Sequence, residues 1–130
     1  MNTLPTYDTV RDETEAAIQR IADEFPPGTR AVPRSEQSPY GCGGGGVMYT
    51  GHWDIYPSPG FDGADFIERL PDLLGDDFTR EELEIDPGIP AAGFIADAYG
   101  GTGINISVAA KHGETIVDIT ALSRCAQPPE

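Results

Sequence analysis

Basic residues are scarce in this chain: 8 Lys and Arg stand against 22 Asp and Glu, for a formal charge of −14. A field of that sign repels nucleic-acid phosphates and anionic membrane surfaces, so neither is expected as a partner. Histidine and cysteine are scarcer still, with His52 and His112, Cys42 and Cys125 making up the whole supply. No CxxC and no Cys/His spacing of a zinc site is present, so no metal or other cofactor is expected. No run approaches the ~18–20 apolar residues of a membrane-spanning helix. "MNTLPTYDTV" lacks the basic start and apolar segment of a signal peptide. Met1 therefore reads either as the start of a cytoplasmic protein or as the replacement of a removed leader. Serine catalysis has no Gly-x-Ser-x-Gly to build on, and neither Ser58 nor Ser107 has a local signature.

What is present is glycine and proline, 16 and 12 of 130 residues. That supply suits a small sheet with long, irregular connections. The length is that of one domain, large enough to bury roughly two thirds of the surface it exposes unfolded. Two distant cysteines in such a domain read as one structural disulfide, Cys42 to Cys125. Closing a loop of about 80 residues contributes roughly 4 kcal/mol, and the bond implies an oxidising compartment. The competing reading is two unrelated free thiols in a cytosolic protein.

Residues 1–7 are expected to form a flexible start, 8–127 one α+β domain, and 128–130 a tail. From Asp8 to Phe25 the spacing is helical, with Val10, Thr14, Ala17, Ile18, Ile21 and Phe25 on one face. Arg11, Asp12, Glu15, Gln19, Arg20 and Asp23 form the solvated face, Thr6 is the expected N-cap, and Pro26-Pro27-Gly28 stops the helix. Residues 26–46 read as an extended, irregular crossing. Residues 47–56 alternate as a strand, with Val47, Tyr49, Gly51, Trp53 and Ile55 toward the core. A second helix opens at Asp62 or Gly63, with a kink or break at Pro71. Thr79-x-x-Glu82 resembles a capping box and predicts another helical turn. Three apolar runs, 91–100, 103–111 and 115–124, joined by "GGTG" and "HGE", predict an antiparallel meander. The fold expected is an α+β two-layer sandwich: an antiparallel sheet of about four strands, two or three helices on one face, and one disulfide.

The stretch "YGCGGGGVMYTGHWDIY" (40–56) invites comparison with a phosphate loop. Its glycines precede a strand rather than a helix, and Val47-Met48 stands where a P-loop would place its lysine. The glycines are better explained as letting the backbone pass the disulfide and bend into the sheet. The outer face of the strand that follows, Thr50, His52, Asp54 and Tyr56, is the candidate binding surface. His52 and Asp54 lie about 7 Å apart along it, and with His112 they would make the residues of a metal-dependent hydrolase.

Together the opening "LPTYDTVRDETEAAIQRI", the cysteine in a Gly-rich crossing, and the ending "DAYGGTGINISVAAKHGETIVDITALSRCAQP" resemble the small extracytoplasmic lipoproteins of mycobacteria and related actinobacteria, the LppA-type group. The resemblance implies a domain on the outer face of the cytoplasmic membrane or in the cell wall, held only by a lipid anchor that this chain does not carry. It implies no established reaction; the domain is expected to be non-enzymatic and to bind a protein or cell-envelope component. It also implies that Cys42 and Cys125 pair. A secreted or phage-type interaction protein is the alternative, and the hydrolase built on His52, Asp54 and His112 a further one.

Overall fold

The computed structural model describes residues 3–35, 39–82 and 89–129. Helix α1 (Tyr7–Ala22) opens where Thr6 Oγ1 accepts from the Thr9 amide at 3.2 Å. It buries the anticipated stripe of Val10, Thr14, Ala17, Ile18 and Ile21. It ends three residues earlier than the periodicity suggests. The two prolines that follow disfavour helical backbone ahead of them, and the chain tightens into i→i+3 turns, Glu24 to Ile21 and Phe25 to Ala22. That turn swings the Phe25 ring onto Phe66 and Phe61, with centroids 4.3 and 5.4 Å away.

The described residues form eight strands: β1 (Arg30–Pro33), β2 (Tyr40–Gly43), β3 (Gly46–Met48), β4 (Thr50–Tyr56), β5 (Thr79–Glu81), β6 (Ala91–Ala96), β7 (Thr102–Lys111) and β8 (Glu114–Leu122). Helix α2 (Gly63–Leu74) sits between β4 and β5. Six strands form one antiparallel sheet in the order β1-β4-β8-β7-β6-β5, and β2 and β3 form a separate hairpin. The α+β sandwich with both helices on one face is as expected, since α1 and α2 bury their stripes in one cluster with Trp53, Ile55, Phe94, Ile106 and Ile119.

The strand count is a correction: six in the main sheet rather than about four. β1 comes from the stretch read as irregular, and its four residues end at Pro33, which an edge strand tolerates. β5 comes from the supposed capping box. Phe78 is extended (φ −132°, ψ 142°) and buried against Phe94 and Tyr99, and this sends Thr79 into the ladder opposite Ile95. Thr79 Oγ1 bonds the Asp97 carboxylate instead of capping a helix. The remainder of that anticipated turn, 83–88, lies outside the described residues. Pro71 breaks nothing either. Only one turn of α2 follows it, so a single carbonyl bond is forgone. Arg20 Nη2 donates to the Leu73 carbonyl at 2.9 Å and satisfies one of the carbonyls left free at the helix end.

The run 47–56 is divided at Tyr49. β3 turns to the hairpin and to Ala126, with Val47 and Ala126 exchanging both backbone bonds at 2.9 and 2.7 Å. The hairpin loop has Gly43, Gly44 and Gly45 at φ 89°, 61° and 83°, which L side chains rarely adopt. Gly46 follows at the disulfide, where a Cβ would stand 3.0 Å from Cys42 Sγ. Gly46 thus gives the backbone room beside the disulfide as expected, whereas Gly43 to Gly45 turn a hairpin of their own, in the stretch read as an irregular crossing, rather than bend into the main sheet. Cys42 and Cys125 are bonded across 83 residues, tying the hairpin to the segment after β8. Gln127 donates its amide to the Pro5 carbonyl and its side chain to that of Leu4, and Tyr7, the last residue of the expected start, is buried in the first turn of α1.

Candidate functional site

Strand alternation puts Gly51, Trp53 and Ile55 of β4 under the helices and Thr50, His52, Asp54 and Tyr56 on the opposite face. All four members of the candidate surface therefore share the uncovered side. β1 and β8 flank them. Arg30 faces Tyr56 across one pair, and its guanidinium lies 4.5 Å from the ring centroid. Arg34 follows β1, its amide bonded to the His52 carbonyl, and its Nε donates to Asp54 Oδ2 at 2.6 Å. The Tyr56 hydroxyl first, and Asp54 second, raise the Arg34 pKa further above its ordinary value.

On the other side the register sets Asp54 opposite Asp118 and His52 opposite Thr120. His52 Nε2 stands 3.4 Å from Asp54 Oδ1 and 3.1 Å from Asp118 Oδ1. One imidazole nitrogen and two carboxylate oxygens thus converge, all within 4.8 Å of one another. His112 does not join them. It occupies the two-residue β7–β8 turn with Gly113, both at positive φ as a type I′ hairpin requires. Six extended residues at roughly 3.3 Å each separate it from Asp118, about 20 Å along the strand. The set His52, Asp54 and His112 is corrected to His52, Asp54 and Asp118.

Asp118 was within reach of the sequence: alternation in "TIVDITAL" already sends it to the face opposite Val117 and Ile119. What periodicity does not contain is the β4–β8 register. Behind the same strand, Glu15 was misassigned to the solvated face of α1. Its Oε1 accepts from the Tyr49 hydroxyl at 2.6 Å and from Ser35 Oγ at 3.1 Å, and its Oε2 from Trp53 Nε1 at 2.8 Å. Ser35 Oγ in turn accepts the His52 amide. One carboxylate so fixes the helix, the strand and the backbone of His52. Burial first, and the Glu15 bond second, push the Tyr49 phenol up to about 12.

No family model matches this chain, and neither a curated protein nor a solved structure does.

Proposed function

We propose that this chain is a non-enzymatic extracytoplasmic domain that docks a protein or cell-envelope component on the open face of its sheet. The observation that carries the reading is the make-up of the sheet face away from the helices. Both helices cover the face of Trp53 and Ile55, while Thr50, His52, Asp54 and Tyr56 have none over them among the described residues. An antiparallel sheet tolerates one wet face, so openness alone says little. The composition of this face says more: Tyr and Arg, enriched where proteins meet, stand paired and held at Arg30–Tyr56 and Arg34–Asp54. Leu122, 41% exposed, adds an apolar contact beside Thr50.

The Cys42–Cys125 bond supports an oxidising compartment. No helix among the described residues is long and apolar enough to cross a membrane. The likeness of the chain's opening and ending to the actinobacterial lipoproteins supports attachment through a lipid. A secreted or phage-type protein of the same fold would lack the lipid, and the mass of the native chain separates the two.

A photo-crosslinking residue at Tyr56 in cells tests the docking. The expected result is a discrete cross-linked species recovered with the envelope fraction, and none from the same residue at Gln19 on the exposed side of α1. Equal cross-linking from both positions, or none from Tyr56, would contradict it.

A further inference from the structure

We propose that His52, Asp54 and Asp118 form a binding site for a divalent first-row transition cation. The spacing is the first argument. Ligand atoms held about 2.0–2.2 Å from one metal stand roughly 3.0–3.5 Å apart in octahedral or tetrahedral arrangements. His52 Nε2 already lies 3.4 Å from Asp54 Oδ1 and 3.1 Å from Asp118 Oδ1.

Their surroundings are the second argument. His52 Nε2 and Asp118 Oδ1 are shielded from solvent and, among the described residues, neither makes a hydrogen bond, although they stand 3.1 Å apart. The distance between them suits a bond, but the direction does not. In the tautomer with its proton on Nδ1 the imidazole presents Nε2 as a lone pair, and a cation between that nitrogen and the two carboxylate oxygens would satisfy all three.

The third argument is support. Asp54 spends Oδ2 on Arg34, which fixes the carboxylate with Oδ1 toward the histidine, as an outer partner does at metal sites. His52 and Asp54 are two residues apart on β4, Asp118 is in register across from Asp54 on β8, and the Ser35 hydroxyl pins the His52 amide. The ligands therefore stand on paired strands rather than on loops. The chain's charge of −14 draws cations toward them.

The imidazole decides the class. Calcium and magnesium prefer all-oxygen shells, whereas a nitrogen with two carboxylates suits zinc, iron or manganese. Three protein ligands leave further positions open to water or to a donor from whatever docks on the sheet. The site stands on its own geometry and does not depend on the docking reading.

Zinc titrated calorimetrically into the oxidised, chelator-stripped chain provides the test. One equivalent is expected to bind, with His52→Ala and Asp118→Asn each weakening binding by about tenfold or more. His112→Ala is expected to bind as the unaltered chain does, and equal calcium or magnesium is expected not to displace the zinc. Imidazole nitrogen resonances of the unaltered chain give a readout that needs no variant: zinc should shift His52 at one equivalent and leave His112 in place. Absent binding, zinc held equally by His52→Ala, a first response at His112, or displacement by equal calcium would each overturn the proposal.

Discussion

Glu15 shows at the scale of a single residue how one side chain joins helix to sheet. Its carboxylate accepts from Tyr49, Trp53 and Ser35, and hydrogen bonds to a charged group contribute about 1.5–3 kcal/mol each. Tyr49→Phe removes one of them and should lower the unfolding free energy by about that amount. The pH dependence has a definite sign. Tyr49 titrates near 10.0 unfolded and at about 12 folded, so the folded state retains a proton that the unfolded chain releases in that window. Its stabilisation is complete below 10.0 and is lost as pH rises through about 12. Burial raises Tyr7 in the same direction, partly offset by Arg11. Urea unfolding at about pH 9 and about pH 11 should therefore show less loss in Tyr49→Phe than in the parent, with some loss remaining. An equal fall in both would remove Tyr49 from the account. None of this was legible in the sequence, because Glu15 sits on the flank of the α1 stripe and its partners lie 20 to 38 residues away.

At the scale of elements, α1 rests on β4 closely because Gly51 has no side chain. A Cβ there would stand 2.7 Å from Ile18 Cδ1 and 3.0 Å from Thr14 Cγ2, both in the packed interior. Gly51→Ala should thus cost about 1–3 kcal/mol by overpacking, as measured by denaturant midpoint. A neutral or stabilising result would mean that the helix can lift without loss. The elements most readable in advance were those with strong local signals: the α1 stripe with its Thr6 cap, α2 opening at Asp62 or Gly63, and the His112-Gly113 turn between β7 and β8. β1 and β5 were not readable. Each is three or four residues long, too short for alternation to register, and each exists because a longer neighbour supplies the ladder. Register failed for a similar reason. β4 and β8 pair at a sequence separation that spans α2 and three other strands, so Asp118 could be assigned a face but not a partner.

At the scale of the whole molecule, the chain is a sandwich with both described helices on one face of its sheet. The hairpin of β2 and β3 is linked to the C-terminal segment by the Val47–Ala126 bridge and by the Cys42–Cys125 bond. Arg124 adds a two-pronged contact with Glu13 at 3.1 and 2.8 Å, so the same segment is also held to α1. Closing an 83-residue separation contributes about 4–5 kcal/mol in the chain-entropy description. That is a large share of the ~5–15 kcal/mol that stabilises an ordinary domain. The disulfide therefore bears on both fold and compartment. Intact mass after denaturation and alkylation, without and with reductant, tests it most directly. No added label is expected until Cys42 and Cys125 are reduced, and two labels afterwards. Two labels on the unreduced protein would contradict it, and with it the proposal of an oxidising compartment.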